Sequence, residues 1–410
     1  MSILGCLGLV LWGHHIAPAA LAFTGYAWAF YALILALRKP ILAGVVLGVS
    51  LLVLLLGATW ADAALVMVIA AGLLGFAAWR RSCYLVALVT ALVIALPLAA
   101  LWGYALNEYS PAMFQLWWQQ YAWGPYGGAA AIQWLHEPGF LPATLVWFAW
   151  PVLPLAAWSL WINRNELKSD FAWQPLLWFL VAITAYIVIS GQPTEVIVLP
   201  LLIVLGLIAV AGVDDLRRGA ASALNSFSVL TFGLTAIGIW VVWGILMWGG
   251  QSQLFLRLSR HSSSLMQFSP LGFGFALIVT VLWGGILLRP RAIGRKALTN
   301  WSCGLILVMG LFVGLFQDWV DSGKSYRPVG VQLHSAASQI QAHCIDAQGI
   351  PSAPLGAMVY FSDYPIKTMN PDECEVAIRL RQDPPRSGWT VIGEANRSGE
   401  SKEKFLIYAK

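Results

Sequence analysis

Histidine and glutamate residues stand at the ends of several apolar blocks in this sequence: His14, His15, Glu108, His136 and Glu137. Histidine exchanges protons near neutral pH and glutamate often acts beside it, so general acid/base chemistry is the first hypothesis, with His14, His15 and Glu108 as catalytic candidates. A solvated loop residue is the alternative for each, because water reaches the block ends. His14-His15 does not predict a metal site, since adjacent helical residues point about 100° apart and no third ligand follows from the spacing.

A second polar set follows the last apolar block and contains Lys324, Tyr326 and Arg327. Arginine binds phosphate with a bidentate fork and lysine binds it as a point charge, so the set predicts binding of a lipid phosphate at headgroup height. Ordinary anchoring of a helix at the membrane interface is the alternative. Gly323-Lys324-Ser325 does not predict a nucleotide-binding loop, because the upstream glycine and the preceding strand are absent.

The segment from Tyr104 to Phe140 contains no Lys or Arg and is rich in aromatic residues. Apolar residues recur at helical spacing over 114–121, which predicts an amphipathic helix on the membrane surface. Glycines and a proline at 124–128 predict a break and a hinge after it. We expect a mobile aromatic flap beside a cavity for a lipid tail; a plain loop with interfacial aromatic residues is the alternative. The central residues of the aromatic flap are Trp117, Trp118 and Tyr121.

Composition places all these residues in an integral membrane protein. Hydrophobic residues make up 59% of the 410 residues and charged residues only 10%, whereas a soluble domain carries roughly a quarter charged residues. The formal net charge is a small +5, and the basic residues stand mostly in short loops. That pattern is a topology signal and does not predict binding of nucleic acid.

About eleven apolar blocks predict an all-α polytopic bundle. Most blocks are long enough to cross about 30 Å of hydrocarbon. Five alternate connections carry most of the Lys and Arg residues between blocks, so the positive-inside rule places those connections in the cytoplasm. Arg257 and Arg260 fall on the outer side, and two residues there do not outweigh five basic connections. The basic connections are Arg38-Lys39, Arg80-Arg81, 163–168, 214–218 and 289–296. The predicted segments are 3–13, 17–37, 41–57, 61–79, 84–103, 141–161, 173–190, 194–212, 227–249, 271–288 and 300–317.

The sequence becomes polar and mixed in pattern after the last block. This change predicts a transmembrane domain over 1–318 and a small α/β domain over 319–410, which the charge rule places outside the cytoplasm. Within the small domain, periodicity predicts one helix over 331–343. Strands are predicted over 355–361, 375–380, 389–393 and 405–408.

Cys344 and Cys374 are the two cysteines of this outer domain. In an oxidising compartment they could bridge a loop of about thirty residues, which the loop-entropy model credits with roughly 3–4 kcal/mol. Two free, buried thiols are the alternative to a disulfide.

Several segments resemble bacterial members of the protein-mannosyltransferase superfamily, and most closely the aminoarabinose–lipid A transferase family. The likeness extends over most of the chain as a patchwork of matches. The matching segments are 147–156, 199–202, 212–221, 324–327, 389–394 and 405–408.

The resemblance implies the GT-C architecture, a helical bundle with an outward active site and a periplasmic C-terminal α/β domain in the bacterial inner membrane. It also implies that a sugar or amino-sugar leaves an undecaprenyl phosphate carrier and passes to an acceptor such as lipid A. No cofactor is expected. Such a transfer needs a carboxylate near the acceptor and cationic groups that hold the leaving phosphate.

The sequence departs from the family pattern at polar positions. Family members begin with further membrane segments and an acidic first outer loop, so this chain is expected to start late relative to them. His14-His15 with Ala19 stand where the family often has His-Glu followed by Asp. Gly57-Ala58-Thr59 stand where the family tends to have Lys before Gly. A late start explains the first absence, whereas loss of the usual transfer activity would explain all three.

Three functions remain open at this point. The chain is a glycosyltransferase that uses a polyprenyl-phosphate donor, a non-catalytic membrane subunit that binds the lipid-linked sugar beside a partner chain, or a transporter of that lipid. A transporter is expected to have repeated halves and broken helices, and the sequence has no internal repeat. We favour the glycosyltransferase, with the non-catalytic subunit as the alternative.

Overall fold

The computed structural model describes the chain except for residues 1, 14–17, 129–136, 138, 168–169, 192, 249–266, 291, 369–373, 384–387 and 398–402. It divides into two compact units, each discontinuous in sequence. One consists of Met1–Val229 with Arg289–Ile306, and the other of Leu230–Leu288 with Leu307–Lys410. The expected division at residue 318 concerns insertion into the membrane and stays a prediction.

The first unit is built from apolar helices joined by short loops. Prolines at the first positions of several helices lack the N–H group that would be unpaired there, and so favour helix starts at these points. The helices are α1 (Leu7–Trp12), α2 (Pro18–Leu35), α3 (Pro40–Gly57), α4 (Trp60–Leu73), α5 (Ser82–Tyr109), α6 (Pro111–Leu116), α7 (Phe140–Phe148), α8 (Val152–Ile162), α9 (Trp173–Val188), α10 (Glu195–Ala211) and the first part of α11 (Arg218–Trp248).

The described residues confirm a helical membrane bundle. Five helices are long and apolar enough to cross a membrane, namely α3, α5, α11, α12 (Pro270–Leu287) and α13 (Ile293–Lys324). A sixth span results if α7 and α8, which meet at 101°, count as one; α2, α4, α9 and α10 are shorter apolar helices. The block at 3–13 forms only a short turn and the six-residue α1, so its helix is too short to span a membrane. The total of about eleven segments stays a prediction.

Close packing of α3 on α5 depends on two glycines four residues apart. A Cβ atom built on Gly44 would lie 2.5 Å from Cβ of Thr90 and 2.7 Å from the carbonyl oxygen of Ala87. On Gly48 it would lie 3.1 Å from the carbonyl oxygen of Ala91. Small residues at this spacing let two helix backbones approach closely. Inside a membrane the hydrophobic effect does not drive helices together, so such close packing stabilises the pair.

We therefore expect Gly44→Ala to destabilise the protein by about 1–3 kcal/mol through overpacking. Gly238→Ala on α11 is the matched control, because a Cβ atom added there would have no heavy atom within 4 Å and alanine favours a helix. Thermal denaturation in detergent would measure both variants. Equal or higher stability of Gly44→Ala would contradict the close approach.

The second unit contains a bundle part and a C-terminal α/β domain. The bundle part comprises the rest of α11, α12 and the end of α13. Aromatic rings fill the contact between α11 and α12, where the ring centroids of Trp240 and Phe273 lie 5.7 Å apart at nearly a right angle. The Trp240 indole also donates to the Thr280 hydroxyl over 3.3 Å. Edge-to-face aromatic packing therefore joins these helices.

The C-terminal domain has two helices, α14 (Arg327–Ile340) and α15 (Ser352–Ser362), and one mixed sheet. The sheet order is β2-β1-β3-β5-β4; β1 is parallel to β2 and β3, whereas β5 is antiparallel to β3 and β4. One apolar core joins the helices to the sheet through residues such as Leu333, Met358 and Phe405. The strands are β1 (Ile345–Asp346), β2 (Ile366–Lys367), β3 (Val376–Leu380), β4 (Thr390–Asn396) and β5 (Lys404–Ala409).

Most of the predicted elements of this domain are confirmed. The predicted helix corresponds to α14, and the last three predicted strands correspond to β3, β4 and β5. The strand predicted over 355–361 is wrong, because this run lies inside α15. Pro354, Met358 and Ser362 are buried and recur every fourth residue, which is helical spacing. Cys344 and Cys374 form a disulfide.

A carboxylate next to this disulfide gives the domain a predictable response to acid. Glu375 accepts a hydrogen bond from the backbone N–H of His343 over 2.9 Å, and its other oxygen lies 3.1 Å from Nδ1 of the His343 ring. These contacts, the backbone N–H first, lower the pKa of Glu375 to about 2. A lowered pKa stabilises the fold fully above the ordinary carboxyl pKa, and this contribution disappears as the pH falls through about 2.

We expect Glu375→Gln to increase hydrogen exchange in peptides from β3 at pH 5 and to lose this effect progressively as the pH falls from about 4.3. Comparing the variant with the unmodified chain at each pH removes the intrinsic pH dependence of exchange. The same difference at pH 5 and pH 2 would contradict the role of the ionised carboxylate.

Candidate functional site

An acidic residue, Asp62, is fixed at the start of α4 by its local sequence. Thr59 is the N-cap residue, and its hydroxyl oxygen accepts a hydrogen bond from the backbone N–H of Asp62 over 3.1 Å. The same hydroxyl donates to Oδ2 of Asp62 over 2.6 Å. A threonine cap with an acidic residue three positions later is a common helix start, since the N-terminal turn favours negative charge.

The carboxylate of Asp62 is buried among helices of the first unit. The residue as a whole is only 8% exposed. Tyr26 of α2, itself 2% exposed, donates its hydroxyl to Oδ1 of Asp62 over 2.8 Å. Burial of a carboxylate is costly unless it is hydrogen-bonded, and acidic residues within apolar helices are candidates for function. Asp62 is therefore the strongest site candidate among the described residues of this unit.

Two further tyrosines complete this cluster. The Tyr186 hydroxyl of α9 is buried beside Asp62 and Thr59, and it makes no hydrogen bond of acceptable geometry within the described part of the chain. The Tyr126 ring packs edge-on against Tyr186, with centroids 5.6 Å apart. Burial, and then the negative charge of Asp62, raise the pKa of Tyr126 to about 12. Its hydroxyl therefore stays protonated at neutral pH. We name Tyr26, Thr59, Asp62, Tyr126 and Tyr186 the carboxylate cluster.

The aromatic flap lies against the start of α4. α6 continues into a wide helical turn over Trp117–Tyr121 and then a tight turn over Gly124–Tyr126. Trp60 donates its backbone N–H to the Ala122 carbonyl over 2.8 Å, and the rings of Trp60 and Trp118 meet edge-on at 5.7 Å. The helix predicted over 114–121 corresponds to α6 and the turn that follows it, whereas the role of this segment as a mobile flap beside a lipid cavity stays a prediction.

Gly124 is required where this segment meets the carboxylate cluster. Its φ is +28°, and a Cβ there would lie 2.5 Å from Cγ2 of Thr59. On the other side of the turn, Ser190 donates its hydroxyl to the Pro125 carbonyl over 2.7 Å. The segment is thus held by hydrogen bonds against Thr59 and Tyr186, two residues of the carboxylate cluster.

An apolar cavity of about 600 Å³ lies beside the same helix, α9. Ala185 and Val188 line it, whereas Tyr186 between them belongs to the carboxylate cluster. Its walls are almost wholly hydrocarbon, so it suits part of a lipid tail. The lining residues are Leu145, Leu153, Ala156, Ala157, Leu160, Leu180, Val181, Thr184, Ala185, Val188, Leu201 and Leu205.

The polar residues singled out at the block ends do not enter this cluster. His14, His15 and His136 lie outside the described residues, and Glu108 and Glu137 are exposed. Among the described residues there is no group of three His, Cys, Asp or Glu side chains arranged to hold a metal ion. No described contact therefore supports a catalytic role for Glu108.

The predicted phosphate-binding set belongs to the second unit. Lys324 is the last residue of α13, and Arg327 is exposed at the start of α14. The Tyr326 hydroxyl donates to Glu403 over 2.9 Å, and the Arg397 guanidinium lies 4.6 Å from the centre of the Tyr326 ring. Tyr326 therefore contributes to the C-terminal domain itself, and phosphate binding by this set stays a prediction.

Asp62 was not among the residues that the sequence singled out. Two signals pointed to it: an acidic residue inside an apolar block, and the spacing from Thr59 that is typical of a helix cap. The tyrosines gave no such signal, because Tyr26 and Tyr186 are far from Asp62 in sequence and meet it only in the folded bundle.

No family model matches this sequence, and no curated protein matches it. Two solved structures are similar to it over most of its length. They are crystal structures of ArnT from Cupriavidus metallidurans, one bound to undecaprenyl phosphate and one in the apo state. Their sequences are 13% and 12% identical to this one, and the alignments cover 98% of this chain and 86% and 85% of those chains. Both have a TM-score of 0.48. At this distance the likeness does not assign a function.

Proposed function

We propose that this chain is a membrane glycosyltransferase that takes a sugar from a polyprenyl-phosphate carrier at the membrane face opposite the basic loops. The observation that carries the proposal is the buried Asp62 carboxylate, held by Tyr26 and Thr59 on the helix whose start the aromatic flap contacts. The family resemblance of the sequence adds the chemistry. In that assignment the protein resides in the bacterial inner membrane, with its C-terminal domain in the periplasm.

Asp62 supplies the carboxylate that an inverting transfer needs. It accepts the proton of an acceptor oxygen as that oxygen attacks the anomeric carbon, while the bond from this carbon to the carrier phosphate breaks. The Tyr186 hydroxyl, which makes no hydrogen bond of acceptable geometry within the described part of the chain, is placed beside it to bind a substrate oxygen. Asp62 is only 8% exposed, so substrate must displace groups that cover it. The segment that contacts Thr59 is the part of the chain proposed to move.

The lipid portion of the donor fits the cavity beside α9. Its volume of about 600 Å³ and its apolar walls suit several isoprene units. Lys324 and Arg327 are proposed to bind a lipid phosphate in the second unit, as their residue types predict. The acceptor proposed from the resemblance is lipid A, and aminoarabinose is the sugar to test first.

The test is reconstitution of the purified chain in liposomes with undecaprenyl-phosphate-linked aminoarabinose and lipid A. Modified lipid A, detected by mass spectrometry above the level in protein-free liposomes, supports the proposal. Measurable binding of the donor without formation of product would favour the second candidate function, a non-catalytic subunit that binds the lipid-linked sugar. Absence of both product and binding would refute the proposed substrate class.

The second candidate is a non-catalytic subunit that binds the lipid-linked sugar. It is favoured by one specific observation: both carboxylate oxygens of Asp62 already accept hydrogen bonds from neighbouring side chains. A carboxylate satisfied in this way also serves to hold α2 against α4. Purification from native membranes, with identification of a co-purifying chain, would separate this role from independent catalysis.

A further inference from the structure

We infer that a second lipid site, for an anionic phospholipid, lies at the other end of α9, among the basic loops. A separate cavity of about 360 Å³ opens there. It shares only Val181 with the larger cavity and contains no residue of the carboxylate cluster. The inference is therefore independent of the proposed function. The lining residues are Phe76, Leu167, Gln174, Leu177, Trp178 and Val181.

The walls of this cavity are apolar and held in place by indole hydrogen bonds. Trp178 donates its Nε1–H to the carbonyl of Ile69 in α4 over 3.0 Å. The ring also fills the space above Gly72, where a Cβ would lie 2.4 Å from Trp178. The groove is thus a fixed feature between α4 and α9, of a volume that suits one hydrocarbon chain.

One end of the cavity is polar. Trp79, which is 1% exposed, donates its Nε1–H to Oε1 of Gln174 over 3.1 Å. This bond orients the Gln174 amide and leaves its NH₂ group to donate elsewhere. No hydrogen bond from that group is formed within the described residues around it. An ester or phosphate oxygen of a lipid at the cavity mouth would accept such a bond.

Two arginines adjoin this polar end. Arg80 is fixed by hydrogen bonds from Nε to the Leu74 carbonyl, 2.8 Å, and from Nη2 to the Gly75 carbonyl, 3.0 Å. These carbonyls immediately precede Phe76 of the cavity wall. Arg81 is exposed and its backbone N–H bonds to the Trp79 carbonyl over 2.9 Å. Two positive charges are therefore placed beside an apolar groove at a membrane-interface position.

Charge complementarity identifies the occupant. A groove for an acyl chain with one fixed cation, Arg80, and the exposed cation Arg81 near its mouth favours a phospholipid whose headgroup has net negative charge over a zwitterionic one. Arg80 retains N–H donors for the phosphate after capping α4, and Gln174 can bond the ester region. The occupant is thus one anionic phospholipid, with phosphatidylglycerol as the probe.

Native mass spectrometry of the full-length protein in detergent, titrated with phosphatidylglycerol or phosphatidylcholine, tests the site. We expect tighter binding of phosphatidylglycerol. Arg81→Gln should weaken it about fivefold, the effect of one cation near a membrane surface. Leu177→Trp should abolish binding of this lipid by filling the groove. Arg38→Gln, an exposed arginine of another basic loop, is the control and should bind as the unmodified chain does.

Two results would overturn the inference. One is equal affinity for the two lipids, or no effect of Arg81→Gln, a surface change that is not expected to disturb folding. The other requires two observations together: equimolar undecaprenyl phosphate displaces phosphatidylglycerol, and Leu177→Trp loses binding of both lipids. That result would assign the groove to the carrier lipid. Retained undecaprenyl phosphate binding in Leu177→Trp would support two distinct sites.

Discussion

Replacing Asp62 with asparagine is expected to lower the rate of sugar transfer by about 10²–10⁴-fold, the usual contribution of a positioned general base. Asparagine keeps the size of the side chain and can still accept a hydrogen bond from Tyr26, so the bundle should remain folded. It cannot take a proton from the acceptor. Measurement of product formation in liposomes, together with thermal denaturation of each variant, separates the lost chemistry from lost structure.

Two control variants sharpen this expectation. Tyr26→Phe removes one hydrogen bond to Asp62 but keeps the carboxylate, so transfer should fall by much less than in Asp62→Asn. Glu108→Gln changes an exposed carboxylate and should leave transfer near the unmodified rate. Full activity of Asp62→Asn, or loss of activity in Glu108→Gln alone, would move the catalytic role away from the carboxylate cluster.

The helical bundle could be predicted from this sequence because the membrane imposes a simple pattern. Backbone groups in hydrocarbon must be paired within the helix, so long apolar blocks specify helices almost regardless of detail. The bend between α7 and α8 was not predicted, because the apolar block at 141–161 is continuous and was expected to form one helix. The error at 355–361 has a related cause: a short apolar run fits a buried strand and a buried helix equally well.

The carboxylate cluster shows why the site was harder to predict than the fold. Tyr26, Asp62 and Tyr186 belong to three helices, and only the packing of those helices brings their hydroxyl and carboxylate groups together. Local pattern gave the helix cap at Thr59 but gave no indication of its partners. The disulfide was easier, because two cysteines in one small domain leave few alternatives for pairing.

The second large effect is expected in the C-terminal domain, where a buried ion pair joins β1 to β3. Asp346 has a side chain with 0% exposure, and its partner Arg379 has a side chain with 13% exposure. Asp346 also accepts the Gln348 backbone N–H over 2.9 Å, and Nη1 of Arg379 donates to the Asp346 carbonyl over 3.1 Å. The pair is therefore integrated with the backbone of both strands.

Arg379→Met should destabilise this domain by about 3–5 kcal/mol, because it removes an ion-pair partner from the buried Asp346 carboxylate. The double variant Asp346→Asn with Arg379→Met should recover much of this loss, since it also removes the buried negative charge. Arg381→Met is the matched control on the same segment; Arg381 and Glu394 are 59% and 41% exposed and 3.5 Å apart, so its loss should cost less than about 1 kcal/mol.

Hydrogen exchange of peptides from β3 and β5, in the full-length protein, measures the free energy of opening for all of these variants. The expected order of stability is the unmodified chain and Arg381→Met first, the double variant next and Arg379→Met last. A double variant no more stable than Arg379→Met would show that the buried negative charge is not the cause of the loss. In that case the cost of Arg379→Met would come from its packing and backbone contacts, because removal of the buried negative charge would then bring no relief.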